Sequence, residues 1–382
     1  MGEDGRVTLT PVGRVITPAL APEPRPRSWR RGQRVVSAVG VTAVAVCVYA
    51  WLVQPLRRSD LLVFLAAGRH VLAGTDPYAV GPALYSGSAF VYPYWTSLVF
   101  APLATLPTHA ADLLWTAGSM VAVAAAVRLA GRPGSMPLLV VLTAATTIRG
   151  LQVGSLNALL MLGCVIAYRY RDRPHTAGVS LAVVVGAKVF LFPLLFWCLA
   201  TRRWHALRSA LVALAALLGL SFLAGPLSPF GYVHMLGTLG AHEGGQGFSL
   251  HRALATVMPA GTATAVCCLI AAGLLLLGAR RGRETDLLMF ACAMVAALVL
   301  TPVVWSHYLL LLFVPLLLAR VGAPWLLVGA GVSWLVASPA LVPGILDVAV
   351  PPRIVLAYGV AMVLLAALSV RRGETPVEAG HP

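Results

Sequence analysis

VVSAVGVTAVAVCVYAWLV, Val35 to Val53, is an unbroken apolar run preceded by Arg25, Arg27, Arg30, Arg31 and Arg34. As one helix it is long enough to cross a hydrocarbon core roughly 30 Å thick. No small-residue cleavage pattern follows, so the run reads as a membrane helix and not as a removable signal. The arginines ahead of it place its start in the cytoplasm, the side on which basic residues accumulate.

The remaining sequence repeats this pattern. Of the chain, 59% is apolar and 11% charged, and the mean hydropathy is +0.85. Water-soluble domains carry about twice that charged fraction, and no soluble core takes up this much apolar surface, so the solvent is lipid. A net charge of +15 suggests nucleic acid in a soluble protein. Here the arginines form short clusters between apolar runs, which read as topology signals and headgroup contacts, and no nucleic-acid partner is expected. The six cysteines (Cys47, Cys164, Cys198, Cys267, Cys268 and Cys292) lie within apolar stretches without metal-type spacing and read as packing residues.

The expected fold is all-α: a polytopic integral membrane protein of about twelve transmembrane helices, several of them short, with an amphipathic helix in an extracytoplasmic loop. Residues 1–34, rich in Pro and Arg, form a cytoplasmic tail, residues 35–370 the transmembrane domain, and residues 371–382 a second cytoplasmic tail. Arg128 and Arg132, Arg169 to Arg173, Arg202 to Arg208, Arg280 to Arg283, Arg320, and Arg371 with Arg372 fall inside by the same rule. The assignment closes in a plasma-membrane protein with both termini inside, provided Tyr94 to Ala130 is a single crossing broken at Pro107. The outer segments are then a first loop (54–93), Arg149 to Asn157, the turn at Lys188, a second large loop (225–252), Thr301 to His307, and Leu341 to Arg353. They hold most of the uncommon polar residues. Met136 to Ile148, Ser155 to Tyr168, Thr176 to Ala187 and Val189 to Ala200 are legs of about 12 to 14 residues, or roughly 18 to 21 Å of helix. Helices that stop inside a bilayer surround a protein-lined or wet cavity, expected here near Gln152, Asn157 and Lys188.

In the first loop, Ser59 reads as a helix cap, Gly74 as a stop, and Asp60 as a carboxylate in the first turn. Asp60 either complements the helix dipole beside Arg57 and Arg58 or acts chemically, close to where a lipid headgroup meets water. Lys188 is the single lysine of the chain and lies between two apolar half-helices, so it either marks a turn or meets something anionic. His307 follows Trp305 and Ser306 at an outer helix end; His251 and Arg252 close the second loop; Asp112 lies inside a crossing, as a candidate ion-pair partner. No zinc-type spacing, phosphate-binding Walker loop or Gly-x-Ser-x-Gly elbow occurs, which removes support for nucleotide-driven and hydrolase readings.

These residues fall into a series. Asp60, Phe64 and Gly74 to Tyr78 are followed by Val91-Tyr92-Pro93-Tyr94 and by Pro102 to Pro107, then by Gly154-Ser155-Leu156-Asn157. Lys188 with Pro193-Leu194, Arg202-Arg203-Trp204, and Thr301-Pro302-Val303-Val304-Trp305-Ser306-His307-Tyr308 complete it. The series resembles, in order, the motifs of the actinobacterial polyprenyl-phosphate-mannose-dependent mannosyltransferases, glycosyltransferase family 87 of the GT-C superfamily, from about Val35 to Val370. It departs from them at Tyr94, Ser155 and Tyr308, and by two extra residues between Lys188 and Pro193.

The resemblance implies an inverting membrane glycosyltransferase that moves mannose from a polyprenyl-phosphate donor to a lipid-anchored glycan, of phosphatidylinositol mannoside or lipomannan type, at an extracytoplasmic site. Asp60 becomes the general base, and Lys188, His307, Asn157, Tyr92 and Arg252 become substrate-binding residues. Such a reaction needs a carboxylate to accept the acceptor's hydroxyl proton and cationic or hydrogen-bonding groups to hold the departing phosphate. No cofactor is implied, and a divalent metal requirement stays open. Two other classes remain beside it: a lipid or polysaccharide transporter, which leaves the donor chemically intact, and a non-catalytic assembly subunit.

Overall fold

A computed structural model describes residues 39–44, 46–48, 59–78, 89–132, 134–243, 247–280, 286–341 and 350–370. The tails 1–34 and 371–382, with Arg57 and Arg58, lie outside these residues, and of the run Val35 to Val53 only 39–44 and 46–48 are described, as helix. The chain divides into Met1–Gly40, described only at its last two residues, and Val41–Pro382, which carries everything that follows.

Among the described residues every regular element is helical. In chain order these are α1 (Ser59–Leu72), α2 (Tyr94–Ala104), α3 (Thr108–Leu129), α4 (Ser135–Leu142), α5 (Ala145–Val153), α6 (Asn157–Arg169), α7 (Pro174–Ala187) and α8 (Pro193–Ala200). There follow α9 (Trp204–Ala224), α10 (Pro229–Glu243), α11 (Leu250–Ala255), α12 (Ala260–Ala279), α13 (Asp286–Leu300), α14 (Phe313–Leu318), α15 (Ala323–Leu341) and α16 (Val350–Val370). Short 3₁₀ segments, Val189–Leu191 and Ser306–Leu312, lead into α8 and α14.

α13 is apolar all round and small-sided, with Ala291, Ala293, Ala296 and Ala297, and is buried from Asp286 to Val299. A helix without a polar face belongs inside a bundle, and α12 and α8 pack on it. Conversely, α9 and α12 turn apolar side chains outward, Leu223 being 91% and Leu269 72% exposed. Surfaces of that kind are stable against lipid, and the protein is a helical membrane protein.

Among the described residues three helices, α3, α9 and α12, are long and apolar enough to cross a membrane alone; α4 and α5, bent by 59°, make up to four if the pair counts as one span. The short legs are present as expected, α6 with 13 residues and α7 with 14.

The run Tyr94 to Ala130 is not a straight rod. Phe100 on α2 and Trp115 on α3 have ring centroids 4.8 Å apart, whereas fifteen residues of continuous helix span about 22 Å. The chain therefore turns back through Thr105, Leu106 and Pro107, where proline has no N–H to carry α2 onward. Of the two helices α3 alone is long and apolar enough for a crossing, and α2 packs against the loop helix α1.

Where α6, α7, α8 and α13 begin or end, at the opposite end of α6 from Asn157, Asp286 gathers three partners. It accepts from Trp197 Nε1 at 2.5 Å and Arg203 Nη2 at 3.0 Å, Arg171 Nε lies within ion-pair distance at 2.8 Å, and Arg203 also reaches Asp172 at 2.7 Å. Asp112, considered above as an ion-pair partner, accepts a hydrogen bond from Thr116 one turn on. The cysteines are all free thiols.

Candidate active site

Helix α1 sets the position of Asp60. Phe64 stacks on Phe100 at 4.4 Å and meets Tyr92 edge-on at 4.8 Å, while Gly68 lets α1 approach so closely that a Cβ there would lie 2.9 Å from the Phe100 carbonyl oxygen. The helix ends as its sequence suggests, with Gly74 at φ +66. At its other end, Leu61 rests on Gly154, a left-handed residue at φ +72 closing α5. Trp115 Nε1 donates to the Gly154 carbonyl at 2.9 Å, which fixes that turn against α3.

Asp60 opens onto a cavity of about 350 Å³. Its wall includes Ser59, Tyr92, Arg149, Glu243, Trp305, Ser306 and His307. His307 Nε2 stands 3.8 Å from Asp60 Oδ2, within ion-pair reach but longer than a hydrogen bond. The carboxylate is 28% exposed and the imidazole 7%, so the acid faces the cavity while the histidine is set into its wall. Burial raises the Asp60 carboxyl above the ordinary aspartate value; the Lys188 ammonium, the Ser59 hydroxyl and the Arg149 guanidinium pull it back. Burial likewise raises Glu243, with His242 opposing and the Asp60 charge adding to the rise.

Tyr92 is held in the wall from both sides. Tyr78 donates its hydroxyl to the Tyr92 carbonyl and Tyr232 donates to that of Val91, each at 3.0 Å. The Lys188 ammonium lies 4.9 Å from the Tyr92 ring and donates to the Tyr308 hydroxyl at 2.5 Å, so the lysine adjoins the wall without belonging to it. Asn157 and Arg252 stand apart from the cavity. Asn157 is fully buried at the start of α6, its side-chain amide atoms without hydrogen-bond partners. Arg252 donates to the Gly247 carbonyl at 2.8 Å and braces the second loop, where the Phe248 N–H donates to the Val304 carbonyl. His251 contacts the Ala260 carbonyl at 3.2 Å.

Two wall residues were not singled out by sequence. Arg149 carried a signal, since it is an arginine on the side that the charge rule leaves poor in them. Glu243 carried none, being one acid in a long loop. Among the described residues, no group of three or more His, Cys, Asp or Glu is placed to hold a metal ion.

An acid beside a histidine and an arginine, at the rim of a polar hollow in a lipid-exposed bundle, suits group transfer at a membrane boundary. Residues 90–306 match the sequence profile described as Glycosyltransferase family 87. The chain belongs to that family. The matched residues take in the cavity wall from Val91 to Ser306 and leave Asp60 and His307 outside. It is also 27% identical over 268 residues to the "Polyprenol-phosphate-mannose-dependent alpha-(1-2)-phosphatidylinositol pentamannoside mannosyltransferase" of Mycobacterium tuberculosis (strain CDC 1551 / Oshkosh), covering 62% of this chain and 59% of that relative. The chain thus spans less than two thirds of the relative's length. No solved structure matches.

Proposed function

We propose that this family 87 enzyme transfers mannose from polyprenyl-phosphate mannose to a lipid-anchored glycan of the phosphatidylinositol mannoside or lipomannan type, with inversion, on the extracytoplasmic face of the plasma membrane. The observation that carries the reading is the Asp60 carboxylate opening onto a cavity of about 350 Å³ whose wall mixes apolar and charged side chains. The relative's printed donor and acceptor supply the substrate class.

In this mechanism the acceptor hydroxyl gives its proton to Asp60 as its oxygen attacks the anomeric carbon. The carbon–oxygen bond to phosphate breaks on the opposite face, and polyprenyl phosphate departs with the electron pair. Arg149, on the wall, and Lys188, behind Tyr92, supply positive charge for that phosphate. His307, 3.8 Å from Asp60, orients the carboxylate or takes its proton onward. Tyr92 gives the sugar a ring to lie against. Arg252 acts on the scaffold, through the second loop.

The test is transfer from polyprenyl-phosphate mannose to a mannolipid by membranes carrying the parent or Asp60→Asn. Loss of general base catalysis lowers the rate about 100- to 10,000-fold. If Asp60→Asn transfers sugar as fast as the parent, the base is elsewhere; if the parent leaves the donor intact, the transferase reading of these substrates is wrong.

A further inference from the structure

We infer that Tyr308 is a positioning residue for the Lys188 ammonium, holding that charge beside the cavity wall where the donor's phosphate is met. The inference rests on the function proposed above and deepens it at the same site.

Lys188 interrupts the helices on either side. Its backbone is extended, at φ −134 and ψ 93, between α7 and the 3₁₀ segment Val189–Leu191, and its side chain is only 9% exposed. An ammonium at such a depth is unfavourable without polar company. The company is aromatic. The Tyr308 ring lies 4.0 Å from Nζ and the Tyr92 ring 4.9 Å away, both within cation–π range, and the Tyr308 hydroxyl accepts a hydrogen bond from Nζ at 2.5 Å. Hydrogen bonds from charged donors are the strong ones, and this one has direction, whereas a ring face holds a cation only loosely.

Tyr308 is itself held in place. Phe190 stacks on its ring at 5.5 Å and 11°, its N–H donates to the Trp305 carbonyl at 2.9 Å, and it is 9% exposed. It is also the neighbour of His307, whose ring it meets edge-on at 4.9 Å. One 3₁₀ segment, Ser306–Leu312, therefore reaches the acid through His307 and the cation through Tyr308. An ammonium has three N–H donors, and Tyr308 takes one. The bond to Tyr308 fixes where the charge sits behind Tyr92, so a phosphate in the cavity meets that charge at a position that the tyrosine dictates. A phenylalanine at 308 keeps the ring contact and removes that fix; a lysine side chain with four rotatable bonds then has no directed partner.

The experiment is a double-mutant cycle on the full chain in lipid nanodiscs, with the parent, Tyr308→Phe, Lys188→Met and the double variant. Initial rates of mannose transfer are measured against donor and acceptor separately and normalised to monodisperse protein. Tyr308→Phe should lower kcat/KM for the donor about tenfold or more, the worth of a hydrogen bond to a charged group, with acceptor KM unchanged. In the Lys188→Met background the same change should add less than about twofold, because the group it positions is gone. A Tyr308→Phe enzyme within twofold of the parent overturns the inference, as does an effect that multiplies undiminished with that of Lys188→Met. A parent that consumes no donor instead overturns the function beneath it.

Discussion

Gly154→Ala places a single methyl group where the loop helix carrying Asp60 rests. The added Cβ would lie 2.5 Å from the Leu61 Cβ, where ordinary contact begins at 3.4 Å, so the two elements must part by about 0.9 Å. The position is also left-handed, at φ +72, which costs an alanine roughly 1 to 2 kcal/mol. Helix α1 is clamped to α2 by Phe64 and Gly68, so the strain is relieved at its first turn, next to Leu61. Asp60 moves with that turn. A base displaced by about 1 Å loses on the order of 100-fold in rate, because the attack geometry is no longer prepared in advance. The assay is kcat for mannose transfer by detergent-purified enzyme, with thermal unfolding measured alongside. Gly118→Ala, at a glycine with nothing within 4 Å of its would-be Cβ, serves as the matched control and should be neutral or slightly stabilising. A Gly154→Ala enzyme within threefold of the parent kcat, at normal yield, would refute the claim that this contact fixes the base.

The pH profile and the opposite end of the bundle offer two more. Asp60 is raised by burial and lowered by Lys188, Ser59 and Arg149, and it must be ionised to accept a proton, so activity should fall as pH drops through a value above the ordinary aspartate pKa of about 3.9. Glu243 and His307 also face this carboxylate, but Lys188→Met removes the largest lowering influence, so the acid limb of log(kcat/KM) should move to higher pH; an unmoved or more acidic limb contradicts the electrostatic picture. Asp286→Ala strips an acceptor from Trp197 and Arg203 and the ion-pair partner from Arg171, and leaves the guanidinium of Arg203 partly buried, which should lower stability by about 3 kcal/mol, with substrate KM values unchanged. A melting temperature equal to the parent's would show that the cluster is not structural.

What the sequence made legible follows from which signals are local. Apolar runs and arginine clusters carry their meaning within about twenty residues, so the helical membrane fold, the short legs and the helix Ser59–Leu72 with its glycine stop could be read directly. Pro107 marks a break in the same local way, but not its angle; the return of α3 onto α2 is fixed by Phe64, Phe100 and Trp115, which come together only in three dimensions. The site divides along the same line. Asp60 and His307 were visible as uncommon residues at helix ends, and they meet at 3.8 Å. Arg149 and Glu243 reach the same wall from elements almost a hundred residues apart, and no spacing rule connects them. Lys188 was conspicuous as an isolated cation, yet its tyrosine surroundings were not, because Tyr92 and Tyr308 belong to separate motifs. Asn157 and Arg252 stand in motif positions, yet neither lines the hollow: Asn157 is buried at the start of α6, and Arg252 donates to the Gly247 carbonyl.

The bond from the Phe248 amide to the Val304 carbonyl makes the anchorage of the long second loop indifferent to its decoration. Main-chain atoms are the same whatever residue bears them, and only Gly247, whose Cβ would fall 2.8 Å from that carbonyl oxygen, is constrained by size. Side chains along that stretch can thus change one at a time, while the main-chain tie keeps its distance from the histidine and the acid.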